Sequence, residues 1–103
     1  NGEKILEKKY TKWFDCDKIN CELTVRTRRS GDYMAVSQSG GHKKLTRCMI
    51  DDKIPGELRG KLPLVVDGNE VLWIVGGRIN ERYKITSETG RVLEITYQGG
   101  NVQ

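Results

Sequence analysis

Between Arg28 and Lys61 the chain gathers eight of its eighteen lysines and arginines against four acidic residues. The flanking segments are close to balanced, six against five in residues 1–27 and four against five in residues 62–103. A local excess of cations suits contact with phosphates, so the position of the net charge of +4 matters more than its size. A solvated face has the same composition, and charge alone does not choose between the two. Arg28-Arg29-Ser30-Gly31-Asp32 sets two guanidinium groups beside a turn. Asp32 there either accepts from turn amides or pairs with an arginine, and the arginines either brace that turn or reach a phosphate. Gly40-Gly41-His42-Lys43-Lys44 offers a flexible loop with exposed amides and two ammonium groups leading into an expected helix, on whose outer face Arg47 also falls.

Other chemistries lack their parts. Nucleophilic catalysis needs a base held beside the nucleophile, and the single histidine, His42, sits in a glycine-flanked loop. Neither Ser39-Gly40-Gly41-His42-Lys43-Lys44 nor Gly56–Leu62 has the spacing of a nucleotide phosphate loop, and Gly76-Gly77 lacks the third glycine of a dinucleotide site. Cys16, Cys21 and Cys48 are an odd number without zinc-ligand spacing, so the expectation is reduced thiols, no metal and no cofactor. The longest apolar runs are strand-sized, far below the roughly 20 residues of a membrane-spanning helix. Asn1-Gly2-Glu3-Lys4 does not open a secretory leader, and a cytoplasmic location is expected.

These groups need a scaffold, and 103 residues suffice for one modest core, expected as a single domain over residues 1–103. Ile5–Phe14 reads as an edge strand, with a spacing that also permits a helical turn or two. Leu23–Arg28 alternates apolar and polar positions as a half-buried strand, with Arg26 and Arg28 on one side. Leu45, Cys48 and Met49 fall at i, i+3 and i+4, which predicts a helix over about His42–Asp52 with Lys43, Lys44 and Arg47 turned outward. Pro55 opens a second short helix closed by Gly60 and Pro63. Leu64–Val66 and Val71–Val75 flank Asp67-Gly68-Asn69 as a hairpin, with Trp73 a core residue. Arg82–Ile85 and Arg91–Gln98 read as two further strands. The expected order is β, β, α, α, β, β, β, β, an α+β domain with two short helices inserted between strands.

Arg-Arg-x-Gly-Asp at 28–32, Gly-Gly-x-Lys-Lys-Leu at 40–45, Ile-Pro-x-x-x-Arg at 54–59, Leu-Pro-Leu at 62–64 and Trp-x-x-Gly at 73–76 follow one another in one order. With Phe14-Asp15-Cys16-Asp17-Lys18 upstream, that series resembles the C-terminal domain of bacterial tRNA(Ile)-lysidine synthetase, over most of the chain. The departures are local: Tyr33 stands where an arginine often follows Gly-Asp, and Val36-Ser37 replaces Pro-Leu. The resemblance implies a small β-rich sandwich related to the B3/B4-like region of the phenylalanyl-tRNA synthetase β subunit. It also implies a part in holding the acceptor-stem region of tRNA(Ile). A separate N-terminal domain would use ATP and magnesium to ligate lysine to the wobble cytidine. This chain itself would carry no catalysis. The candidate tRNA-contacting residues are Arg28, Arg29, Lys43, Lys44, Arg47, Arg59 and Arg78, and for Arg28 and Arg29 the resemblance does not separate an RNA contact from a structural role. The competing expectation is a packing module that joins the other domains of a parent, or a homodimer, through the strand that carries Trp73.

Overall fold

A computed structural model describes residues 10–20 and 22–98. The elements are β1 (Thr11–Asp15), a 3₁₀ turn (Cys16–Lys18), β2 (Leu23–Arg26), β3 (Tyr33–Ala35) and β4 (His42–Lys44). They continue with α1 (Leu45–Asp51), α2 (Gly56–Arg59), β5 (Leu64–Asp67), β6 (Glu70–Ile74), a second 3₁₀ turn (Glu81–Tyr83) and β7 (Val92–Thr96). Five strands form a mixed sheet in the order β2-β5-β6-β3-β4, and β1 pairs with β7 in a separate antiparallel ribbon. The helices cover one face of the large sheet and the ribbon covers the other, the layering of a β-rich α+β sandwich.

The central hairpin explains why its two strands read as unbroken apolar runs. Both are buried at every position because each face has its own core. Leu64, Val66, Val71 and Ile74 pack with Met34, Leu45, Cys48 and Met49 under the helices. Val65, Leu72 and Trp73 pack with Phe14 and Tyr83 under the ribbon. Val65 opposes Trp73 while Val66 opposes Val71, so Leu72 is the extra residue of a β-bulge, and Leu72 and Trp73 enter the same core. Gly68 holds the turn with φ 69°, a conformation a Cβ disfavours.

Several boundaries differ from the sequence expectation. The first strand covers Thr11–Asp15, and positions 5–9 of the expected strand lie outside the described residues. The second strand ends at Arg26 rather than Arg28, and Val25 faces solvent. His42–Lys44 is not helical: it pairs antiparallel with Tyr33–Ala35, and α1 begins only at Leu45. That strand is a short, lysine-bearing sheet edge, a form that discourages pairing with other chains. The expected strand at Arg82–Ile85 is replaced by the turn Glu81–Tyr83. Asn80 is the cause, since its side chain accepts from the Arg82 amide (2.8 Å) and donates to the Val71 carbonyl (2.8 Å), capping the turn from within the core. Tyr83 is thereby buried with its hydroxyl donating to Asp67 (2.9 Å), and burial followed by that carboxylate pushes its phenol upward. The stripe Leu45, Cys48 and Met49, the helix after Pro55 and the buried Trp73 stand as the sequence predicted.

One ion pair anchors the β2–β3 connection. Arg26 donates to both Asp32 oxygens (2.9 and 2.8 Å), and the Arg29 amide (2.8 Å) and Asn69 (3.3 Å) donate to the same carboxylate. The Asp32 side chain is wholly buried and that of Arg26 is 11% exposed. Burial acts to raise the Asp32 carboxyl, but the bonds from Arg26, Arg29 and Asn69 outweigh it and hold it below the usual carboxylate range. The loop between them turns at Gly31, whose φ of 92° a residue with a Cβ adopts poorly.

Helix α1 ends in a Schellman arrangement: Ile54 N–H donates to the Met49 carbonyl (3.0 Å) and Lys53 N–H to that of Ile50 (2.9 Å). Lys53 occupies the left-handed position with φ 61°, where glycine is usual. Replacing Lys53 with Gly is expected to raise stability by about 0.5–1 kcal/mol, read from the midpoint of urea unfolding at constant m-value. Asp32→Asn is expected to lower stability by about 3 kcal/mol at pH 7, because it leaves the Arg26 charge without its partner. The native state holds Asp32 deprotonated below its unfolded value of about 3.9, so its contribution is complete above that pH. The gap between wild type and variant should narrow as pH falls below about 4, and urea titrations from pH 7 to pH 3 measure it.

Candidate nucleic-acid interface

The seven basic residues singled out from the sequence are divided by the fold. Strand alternation is the first reason: successive side chains of β4 leave opposite faces. Lys43 lies opposite Met34, on the helix side, and reaches Asp51 of α1 (2.8 Å). Lys44 lies opposite Tyr33, on the other side. There it lines a concave site of about 430 Å³ together with Arg28, Arg29, Ser30, Tyr33 and Thr46. The helix face once expected to carry Lys43, Lys44 and Arg47 together therefore does not exist as such. Arg47 alone belongs to α1, exposed and near enough to Asp51 to lower its carboxyl after Lys43 does.

Compensation by carboxylates is the second reason. Arg78 makes two bonds to Asp52, through Nε (2.9 Å) and Nη2 (2.5 Å), and that carboxylate raises its guanidinium. Arg59 turns inward, donating from Nε to the Ile54 carbonyl (2.9 Å), which braces the start of α2. Among the described residues no carboxylate lies within ion-pair distance of Arg28, Arg29, Lys44 or Arg47. Asp32, the one acid among the described residues that line the concave site, is buried and already bonded to Arg26. The site thus carries three cations uncompensated among the described residues, from two separate segments, with Ser30, Tyr33 and Thr46 also in its lining. Such a set can bind an anion through charge and several donors at once.

Arg26 is the residue that sequence reasoning missed as a partner of Asp32. The available signal was the spacing of six residues across a glycine turn, which brings the strand's last side chain back over the loop. Neither Arg28 nor Arg29 makes that pairing, and both guanidinium groups are without a carboxylate among the described residues. His42 packs edge-on to the Tyr33 ring, with centroids 4.9 Å apart. Trp73 is fully buried in the second strand of the central hairpin, so that strand offers no tryptophan face to a partner.

Comparison with known proteins bears on the family to which the chain belongs. The family model described as "TilS substrate C-terminal domain" matches residues 23–95. A tRNA(Ile)-lysidine synthase of Caldanaerobacter subterraneus subsp. tengcongensis is 44% identical over 88 residues, covering 85% of this chain and 19% of the relative. That of Clostridium tetani is 43% identical, covering 87% and 19%, and that of Clostridium perfringens is 40% identical, covering 95% and 21%. The chain therefore spans about a fifth of the length of these relatives. A crystal structure of a TilS C-terminal domain superposes with a TM-score of 0.59 at 30% identity, covering 84% of this chain and 72% of the other. The matched span from Leu23 to Ile95, the identity to these relatives and the shared fold give one conclusion: this chain belongs to the C-terminal domain family of tRNA(Ile)-lysidine synthase.

Proposed function

We propose that this chain is a single tRNA-binding domain of a longer, cytoplasmic bacterial ligase, and that it holds the acceptor-stem region of tRNA(Ile). The ligation itself, with ATP and magnesium, belongs in this reading to a separate N-terminal domain. The observation that carries the proposal is the group of three cations, Arg28, Arg29 and Lys44, around one concave site without a free carboxylate among the described residues. Double-stranded RNA is read through phosphates, hydroxyls and shape, for which guanidinium and ammonium groups on a firm loop are sufficient. The loop is firm because Asp32 fastens it to Arg26 and to the hairpin turn. Arg47 extends the charged surface along α1. Lys43 and Arg78 are engaged by Asp51 and Asp52, and Arg59 by a backbone carbonyl, so their contribution to phosphate binding is secondary.

Binding by this domain alone is expected to be weak and salt-sensitive, because a multidomain enzyme gains affinity from linking its contacts. The log–log salt slope should have a magnitude of roughly 2 to 5. Alanine at Arg28, Arg29 or Lys44 should each reduce it by up to about one unit. Alanine at Lys43 or Arg78 should reduce it by less than about half a unit, since each already has a carboxylate at contact distance. Fluorescence anisotropy with tRNA(Ile) across a salt series distinguishes these sets. Equal losses in both sets, or binding indifferent to salt, would remove the concave site from the mechanism.

A further inference from the structure

A second concave surface lies away from the three cations. It is a groove of about 330 Å³ between α2 and the open end of the central hairpin, walled by Tyr10, Ile54, Pro55, Leu58, Leu62 and Val75. The loop that carries Arg28 and Arg29 is fastened at the opposite end of that hairpin, where Asn69 of the turn meets Asp32. The two sites share no lining residue. Ile54 and Leu62 rest on the helix-side core, so the groove continues that core out to solvent, and Leu58 stands in its wall 43% exposed. The charged side chains of the groove are Lys53 and Asp52, and Asp52 is already bonded to Arg78. That chemistry is apolar and suits a protein surface better than a phosphate backbone, which calls for several cations. The place where the chain enters selects the protein. Tyr10 is the first residue of the described segment 10–20, so polypeptide N-terminal to it joins the domain at this groove. This chain covers 19% of two of its relatives, so about four fifths of their length lies outside it, and the matched family is a C-terminal domain. A neighbour tethered beside the groove meets it at an effective concentration of roughly millimolar for a short linker, so a modest apolar contact is enough to dock it.

We infer that this groove receives apolar side chains of the neighbouring domain on the N-terminal side of the same polypeptide, with Leu58 as the anchor. The inference rests on the reading of the chain as one domain of a longer ligase and adds which face joins it to the rest. The central hairpin is then held to the ligase at its open end and presents Arg28, Arg29 and Lys44 at its turn end.

The test follows amide hydrogen exchange in the whole ligase and in the 103-residue chain by itself. Helix α2 is a single turn, held by bonds from Leu58 N–H to the Pro55 carbonyl (2.9 Å) and from Leu62 N–H to that of Leu58 (3.1 Å), so its amides open readily in the isolated chain. In the whole ligase the amides of residues 56–62 should exchange at least about tenfold more slowly. Leu58→Lys should remove that protection from the ligase while leaving the unfolding midpoint and the RNA affinity of the isolated chain unchanged, because its side chain lies in the groove wall and outside the concave site. Ile85→Lys, which alters an exposed apolar residue outside the groove, should keep the protection. Equal exchange at residues 56–62 in the ligase and in the isolated wild-type chain would overturn the inference. If that equality came with slowed exchange elsewhere, as around Trp13, the chain would still be a docked domain of a longer ligase, held by another face. If the coding sequence held no further domain, the docking and the reading of a longer ligase would both fall.

Discussion

The buried pair of Arg26 and Asp32 is the interaction on which the rest of the charged surface depends. Asp32 accepts from Arg26, from the Arg29 amide and from Asn69, and its backbone carbonyl accepts from Leu45 N–H at the start of α1 (2.9 Å). Arg26 also donates to the Thr27 and Gly68 carbonyls. One ion pair thus ties together the end of β2, the loop through Gly31, the turn of the central hairpin and the first helix. A buried charge pair is by itself a weak source of stability, since desolvation opposes it. Here its value lies in position. It satisfies Asp32, the carboxylate in the lining of the concave site, from the protein side, and Arg28, Arg29 and Lys44 are left without a carboxylate partner among the described residues.

A second polar group steadies the same end of the hairpin from the other face. Glu70, Asn80, Arg82 and Tyr83 are joined by hydrogen bonds beneath the sheet, with Arg82 bonded to both Glu70 oxygens at 3.2 Å and lying over the Tyr83 ring. The turn end of the hairpin is therefore held twice, by Tyr83 through Asp67 and by Asp32 through Asn69. A bulged, doubly buried hairpin so fastened is a stiff base for a loop that must present charges in a fixed arrangement.

Much of this was legible in the residues. The hairpin was, because a Gly-containing turn between two β-branched runs has few alternatives, and so was the buried side of α1, because its three apolar residues share one helical face. The strand at His42–Lys44 was not. Its residues have no β pattern, and it forms because β3 offers an open edge, a long-range condition absent from the local sequence. The same error placed Lys43 and Lys44 on one helix face, whereas the pleat sends them to opposite sides. The turn at Glu81–Tyr83 was hidden for a related reason: Arg82–Ile85 has strand-forming residues, and the cap from Asn80 that overrides them is made inside the core. The basic character of the site could be read directly. Which cations were already spent could not, since Asp51 and Asp52 meet Lys43 and Arg78 only after folding.

The central claim is that RNA meets the face bearing Arg28, Arg29, Tyr33 and Lys44, and not the face bearing the compensated pairs. Following backbone amide resonances of the labelled chain during titration with an acceptor-stem hairpin tests it most directly. The account predicts shifts concentrated in residues 28–33 and 44–46, with little change at Asp52 and Arg78 or along β1 and β7. Shifts centred on Asp52 and Arg78, or on the ribbon around Trp13, with the Arg28–Tyr33 loop unmoved, would contradict it.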